Sequence, residues 1–286
     1  MIPAMPKREW VPFLPLFPSL NKGRQARLML QAYFDDSASA NQKGIVCLAG
    51  FVASDVNCQA LAHDWFRLTQ KHSIKRLHTS DFLSGKGEYE QMVADGLTFD
   101  KRIAIIGEFV FLFRKYVQAM IAVGVDIPAY QLAFAAYGKK FNPVEFCFYR
   151  IIRNSIEASQ LWEPAAMPLS IAFDDSRESP KFLSAIRSLK QNRREVRKAV
   201  GAISFVDNRW VQPMQAADMF ACFAVREFRK PESEAWKDLP QRDMLFTLED
   251  PSRGIPGASE LWDEPHLLAA GYEVASGLKE EKSIVP

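Results

Sequence analysis

The chain has 286 residues, of which 48% are hydrophobic and 24% are charged, a composition typical of a globular protein with a sizeable core. Only 14 Gly and 4 Cys are present, which excludes a collagen-like chain and a disulfide scaffold. No run of about 18 uncharged apolar residues indicates a membrane span. Prolines near the N-terminus interrupt any signal-peptide core, so we expect a cytoplasmic protein with reduced, buried cysteines.

Charge is distributed unevenly along the chain. Residues 231–286 hold five Lys and Arg against twelve Asp and Glu, a net charge of −7. Residues 1–230 hold 31 basic and 22 acidic groups, a net charge of +9. A basic body with an acidic tail favours a polyanionic partner such as nucleic acid, although acidic termini are also common in proteins without one.

The pattern of apolar residues divides the chain into three parts. We predict a Pro-rich extended arm over residues 1–27, one domain over residues 28–230, and an acidic tail of loops and short helices over residues 231–286. In the domain, two strands form a hairpin and three further strands alternate with helices. The predicted strands are residues 28–34, 45–53, 118–125, 169–173 and 202–206, and the predicted helices are residues 56–73, 99–117, 129–161 (with a possible break at Pro143), 181–199 and 213–229. This order predicts an α/β fold, a mixed sheet of about five strands with helices on both faces.

Two predicted strands end in the same four residues, Phe-Asp-Asp-Ser. The first pair of acids is Asp35 and Asp36, and the second is Asp174 and Asp175. Successive strand residues point to opposite faces, so at most one acid of each pair faces a given side. Carboxylates gathered from separate strands repel one another unless protons or cations offset the charge, and Mg²⁺ prefers such ligands. The alternative is that both pairs begin loops, where Asp and Ser are common; the repetition favours a site.

Asp218 lies in a helix that is apolar on nearly every side. Within residues 214–225 the other strongly polar side chain is Gln215. Such a helix is buried, and an unpaired buried carboxylate is costly. A hydrogen bond to Gln215 or to a buried backbone amide would satisfy Asp218, but a metal or catalytic role is the better interpretation.

His78 and Asp81 form a smaller candidate group. They are three residues apart and share a face if the segment is helical. A histidine beside carboxylates can move protons or bind a metal. Capping of the following helix by Ser80 or Asp81 explains the same residues equally well.

The predicted helix over residues 181–199 is strongly basic. Spacings of three and four residues place four cations on one stripe, a pattern that can follow a phosphate backbone. These predicted nucleic-acid-binding residues are Arg187, Lys190, Arg194 and Arg197. A charged stripe is also typical of a solvated helix face.

Motifs of other chemistries are missing. The sequence contains no glycine-rich dinucleotide or nucleotide loop and no Gly-x-Ser-x-Gly elbow. A phosphatase acting on small esters would use a nucleophilic aspartate in an Asp-x-Asp pair. The chain has Asp-Asp-Ser instead, so this hypothesis ranks last.

Taken in order, these motifs resemble the domain of unknown function 3800 family, whose members are similar to ribonuclease H-like proteins. The residues that carry the resemblance are Tyr33-Phe34-Asp35-Asp36-Ser37, Ala49-Gly50-Phe51, His78-Thr79-Ser80-Asp81, Asp174-Asp175 and Met214-Gln215-Ala216-Ala217-Asp218. The resemblance covers about residues 28–230. One position departs from the family pattern, because Asp36 stands where a glutamate is usual.

The resemblance implies a ribonuclease H-like fold and a two-metal carboxylate site. Asp35, Asp174 and Asp218 would bind Mg²⁺ or Mn²⁺, and His78 or Asp81 would complete the site or move protons. Asp36 and Asp175 are second choices as site acids, since alternation decides which acid of each pair faces the site. The implied activity is hydrolysis of nucleic acid phosphodiester bonds. The alternative is a binding or scaffold protein that kept the fold and lost catalysis, to which the shorter side chain of Asp36 points.

Overall fold

The computed structural model of the protein describes residues 29–38, 44–134, 142–162, 168–176, 179–229 and 257–262. Their strands are β1 (Leu30–Ala38), β2 (Ile45–Ser54), β3 (Ala119–Asp126), β4 (Leu169–Asp174), β5 (Val200–Val206) and β6 (Gly257–Trp262). Their α-helices are α1 (Asp55–Lys71), α2 (Thr79–Ser84), α3 (Glu90–Ala94), α4 (Phe99–Tyr116), α5 (Ile127–Phe134), α6 (Pro143–Trp162), α7 (Ser179–Asn192), α8 (Arg194–Ala199) and α9 (Gln212–Phe228). Within these residues no helix is both long and apolar enough to cross a membrane.

The strands form a single mixed sheet in the order β5-β4-β1-β2-β3-β6. β2 runs antiparallel to its neighbours β1 and β3, whereas β1 and β4, β4 and β5, and β3 and β6 pair in parallel. The hairpin of β1 and β2 comes first, and helices connect the later strands. The mixed sheet flanked by helices, expected for a ribonuclease H-like α/β protein, is confirmed.

Helices cover both faces of the sheet because the central strands are apolar on both sides. In β2, Cys47 and Phe51 belong to the core beneath α1, α4 and α9. The alternate residues Val46 and Leu48 belong to the core beneath α6 and α7. All four cysteines are free and buried, as expected. The face that carries α9 is the one that matters for the site.

Three sequence predictions about the elements are wrong. β1 continues to Ala38, so Asp35 and Asp36 lie inside a strand rather than after it. The predicted helix over residues 181–199 is two helices, because Arg193 adopts an extended backbone between them. Residues 257–262 form β6 at the edge of the sheet, not a loop or helix. The arm over residues 1–27 lies outside the described residues, as does the rest of the tail.

Gly50 allows β1 and β2 to approach closely beside Asp35. A Cβ atom at position 50 would lie 1.8 Å from the carbonyl oxygen of Tyr33 and 2.8 Å from the Cα of Phe34. These are backbone atoms of β1, so a larger residue must push the strand itself away. The glycine is therefore required by strand pairing.

We expect Gly50→Ala to lower the free energy of unfolding by about 2 to 3 kcal/mol, because overpacking against backbone cannot relax by side-chain rotation. Urea denaturation measures the change. Gly201→Ala is the matched control in β5, since its nearest contact would be Pro168 at 3.4 Å; it should change stability by less than about 1 kcal/mol. Equal stability of the two variants would contradict the close approach.

Candidate active site

Three of the predicted acids come together at one end of the sheet. Phe34 of β1 pairs with Phe173 of β4 in parallel register, so Asp35 and Asp174 follow side by side and, by alternation, on the same face. That face packs against α9, which carries Asp218. Asp35 is only 6% exposed, and the charge of its carboxyl interacts with those of Asp218 and Asp174.

Burial and mutual repulsion favour the protonated forms of the two strand acids. The pKa of Asp35 is well above its usual value because of burial first and the charges of Asp218 and Asp174 next. Burial raises the pKa of Asp174 to about 6, and the charge of Asp36 adds to the rise. The backbone amide of Asn208 opposes the rise by donating to Asp174 Oδ1 at 3.0 Å. If all these acids were ionised, a nearby positive charge would be needed to offset their repulsion.

Asp218 is satisfied in part by a backbone amide. The amide of Thr79, the first residue of α2, donates to Asp218 Oδ2 at 2.8 Å. The other oxygen, Oδ1, lies 3.7 Å from His78 Nε2. Burial still raises the pKa of Asp218, although the charge of His78 and the Thr79 amide oppose it. The backbone-amide partner considered from the sequence is thus present, and it occupies one oxygen of the carboxylate.

His78 bridges Asp81 and Asp218. Its Nδ1 lies 2.8 Å from Asp81 Oδ2, while its Nε2 faces Asp218. The backbone around His78 is fixed by the buried Tyr89, whose hydroxyl accepts from the His78 amide at 3.0 Å and donates to the Arg76 carbonyl at 2.7 Å. A carboxylate that holds one ring nitrogen fixes the orientation of the other, which is the arrangement of an oriented proton carrier.

The capping interpretation of this segment is wrong. His78 itself is the N-cap residue of α2, and its own side chain makes no capping hydrogen bond. Ser80 and Asp81 lie inside the helix, where Asp81 points back to the imidazole. The spacing of three residues therefore serves the His78–Asp81 pair.

The second acid of each pair differs in its surroundings. Asp175 Oδ1 accepts from the hydroxyl of Ser179 at 3.1 Å, at the start of α7, which matches the loop interpretation. Alternation places Asp36 on the face opposite Asp35. Its charge nevertheless reaches Asp174 and raises the pKa of that carboxyl. Asp36 thus acts on the site through its electrostatic charge, from the opposite face of the sheet.

Gln215 ties the surrounding elements to α9, one turn before Asp218. Its buried Oε1 accepts from the indole nitrogen of Trp65 at 3.1 Å and from the amide of Leu77 at 3.0 Å. Its Nε2 donates to the carbonyl of Asn208 at 3.1 Å. One amide side chain therefore fixes α1, the segment before α2 and the turn that holds Asp174. The sequence singles out Gln215 as polar, but not these partners.

The predicted basic stripe does not lie beside the acids. Lys190 is half-buried, and its Nζ donates to the Gly201 carbonyl at 2.6 Å. Arg194 and Arg197 are exposed on α8, which ends where β5 begins, in register with the start of β4. Asp174 is at the opposite end of β4, roughly 16 Å along the strand. The prediction that these residues form a single stripe is therefore wrong. Nucleic acid binding by Arg187, Lys190, Arg194 and Arg197 stays a prediction.

The donor chemistry of the site fits a hard divalent cation. Among the described residues, no group of three or more His, Cys, Asp or Glu side chains is placed to hold a metal ion. Mg²⁺ does not require one, because it keeps several waters and usually takes one or two carboxylates. Asp35 and Asp218, whose charges interact, would supply such a pair, and Asp174 follows on the strand next to that of Asp35.

Comparisons with known proteins find a likeness among solved structures. No family model and no curated protein matches this chain. A chain in the structure of the PCNA:RNase HII complex from Archaeoglobus fulgidus is similar with 13% sequence identity and a TM-score of 0.35. The likeness covers 79% of this chain and 91% of that one. The resemblance to the domain of unknown function 3800 family stays a prediction, and the function proposed below depends on the geometry of the acids.

The raised pKa values predict how stability depends on pH in metal-free buffer. A carboxyl with a raised folded pKa binds its proton more tightly when folded, so the free energy of unfolding falls as pH rises from about 4 through about 6. Asp174→Asn should remove about 1 to 2 kcal/mol of that fall, allowing for solvent around a partly exposed group. Urea denaturation in EDTA across this range measures it.

Asp207→Asn is the contrasting variant, since hydrogen bonds from Arg209 lower the pKa of Asp207. Its contribution is present above the unfolded pKa and is lost on acidification, so this substitution should destabilise at neutral pH. If Asp174→Asn and wild type show the same pH dependence, the account of the clustered charge is wrong.

We expect Gln215→Leu to lower the free energy of unfolding by about 3 kcal/mol or more, because three partners, two of them buried, lose their hydrogen bonds at nearly constant volume. Urea denaturation again gives the value. Gln91→Leu is the control: that exposed side chain donates only to Asp95, and the change should stay within about 0.5 kcal/mol. A small effect at position 215 would mean that the network is not a support of the site.

Proposed function

We propose that this protein is a metal-dependent nuclease that hydrolyses phosphodiester bonds of nucleic acid. The observation that carries the proposal is the convergence of Asp35, Asp174 and Asp218, each from a different element and each with a raised pKa. Clustered acids of this kind lower stability unless a cation joins them, so a function that needs a cation explains why they are buried together.

The acids fit Mg²⁺ or Mn²⁺ by ligand type, and we propose these as cofactors. When bound, such an ion would supply positive charge that activates a water nucleophile and stabilises the departing oxygen. Asp35 and Asp218 would hold it from the strand and the helix. Asp174, oriented by the Asn208 amide, would direct its free oxygen to the same place.

His78 is the proposed proton carrier. Asp81 holds Nδ1, so that Nε2 is presented toward Asp218 and the space beside the acids. An imidazole in this position can give a proton to the oxygen that leaves the phosphate and take it back from water.

The four buried free cysteines agree with a reducing location such as the cytoplasm.

The alternative is a scaffold or binding protein without catalysis. The observation that favours it is that, among the described residues, no group of three or more His, Cys, Asp or Glu side chains is placed to hold a metal ion. Metal binding separates the two functions. If the acids bind no ion, the protein has no means of offsetting their charge except protons, and the scaffold function is preferred.

We expect wild type to cleave a DNA or RNA substrate in Mn²⁺, and Asp35→Asn, Asp174→Asn and Asp218→Asn each to reduce the rate by about a hundredfold or more. The reason is that each removes a carboxylate whose charge is needed where the ion and the reacting phosphate meet. A panel of labelled single-stranded and double-stranded substrates, with product analysis on gels, gives the rates.

Arg194→Ala combined with Arg197→Ala is the control, since these exposed cations lie at the far end of β4 and should leave the chemical step intact. Calorimetry with Mn²⁺ gives a second measurement, in which Asp218→Asn should lose the binding seen in wild type. Equal trace cleavage by wild type and all three acid variants would mean that a contaminating nuclease is responsible. This result would contradict the nuclease proposal.

A further inference from the structure

An exposed tryptophan stands on the turn that holds the acids. Trp210 is 61% exposed and belongs to the turn between β5 and α9. Large aromatic side chains are usually well buried, so an indole with this much exposed surface near a site points to contact with a ligand. Phe111 is comparably exposed, at 62%, but it lies on α4, which carries none of the three acids.

The turn is fixed to the site on both sides of Asn208. The Asn208 amide donates to Asp174, and its carbonyl accepts from Gln215. Trp210 follows two residues later, so its Cα lies at most about 7.6 Å from that of Asn208. The Trp210 amide donates to the Asp207 carbonyl at 3.1 Å, which closes the turn. The turn thus places the backbone of Trp210 near the amide that binds Asp174.

A cation accompanies the indole. The guanidinium of Arg209 is bound by its neighbour Asp207, with Nε lying 2.8 Å from Oδ2, and remains exposed. The charges of Asp174 and Arg209 also interact. Successive aromatic and cationic side chains are the combination that binds single-stranded nucleic acid, by base stacking and phosphate contact.

We infer that Trp210 stacks on an unpaired base next to the bond held at Asp35, Asp174 and Asp218, and that Arg209 contacts an adjacent phosphate, which makes the substrate a single-stranded nucleic acid. The inference rests on the proposed function for its orientation, since the acids mark where the strand runs. Bases inside a duplex are covered by their neighbours and offer no face to an indole.

Binding is tested with short labelled strands of thymidylate and of uridylate, with Ca²⁺ in place of Mg²⁺ or Mn²⁺ and with EDTA in parallel. Fluorescence anisotropy should show about tenfold weaker binding for Trp210→Ala, as one lost stacking contact predicts. Trp210→Phe should keep most of the affinity, and Phe111→Ala should match wild type. An abasic strand should remove the difference between wild type and Trp210→Ala. The two strands differ in sugar and show which nucleic acid is preferred.

Arg209→Ala should reduce the slope of binding against salt concentration by about one phosphate contact, while Trp210→Ala leaves the slope unchanged. Wild-type affinity of Trp210→Ala for both strands, or an equal loss on the abasic strand, overturns the inference. The assay needs no cleavage: binding through Trp210 without Mn²⁺-dependent cleavage leaves the inference standing and removes the nuclease. Cleavage that needs the acids but is unchanged in Trp210→Ala, with unchanged binding, removes the inference alone.

Discussion

Repulsion among Asp35, Asp174 and Asp218 is the constraint on which the rest of the site depends. Their pKa values are raised because burial removes the water that would stabilise the ionised forms, and each charge then disfavours the next. A folded protein can keep such a cluster of acids only if other interactions stabilise the fold by more than the cluster destabilises it. Here the pairing of β1 with β4 and the packing of α9 on the sheet supply them, so the apolar core stabilises a polar cluster.

The donors that surround the acids are backbone amides rather than cations. Thr79 and Asn208 each give one amide hydrogen to a carboxylate, and Gln215 fixes the turn that carries Asn208. Amide dipoles orient a carboxylate without neutralising it, so the negative charge stays available to a ligand. Support of this kind holds a site in position before any ligand arrives.

The sequence singles out the three acids but not the groups that surround them. Asp218 stands out because its helix is otherwise apolar, and Asp35 and Asp174 because two strands share a four-residue ending. The choice within each pair depends on strand register, which pairing between distant segments decides. The amides of Thr79 and Asn208 leave no trace in residue type, since every residue but proline has one. The break at Arg193 and the strand over residues 257–262 likewise depend on tertiary contacts that override local pattern.

The separation of the basic helices from the acids decides which cations can act on a substrate. Arg194 and Arg197 lie at the start of β4 and α8 packs on the opposite face of the sheet, at least roughly 16 Å from Asp174. At physiological salt, exposed charges are largely screened beyond about 8 Å. These arginines therefore cannot position a phosphate at the acids, although they add to the field that attracts a polyanion. Positioning must come from groups within a nucleotide or two of the acids, and on the turn that holds Asp174 the exposed cation is Arg209.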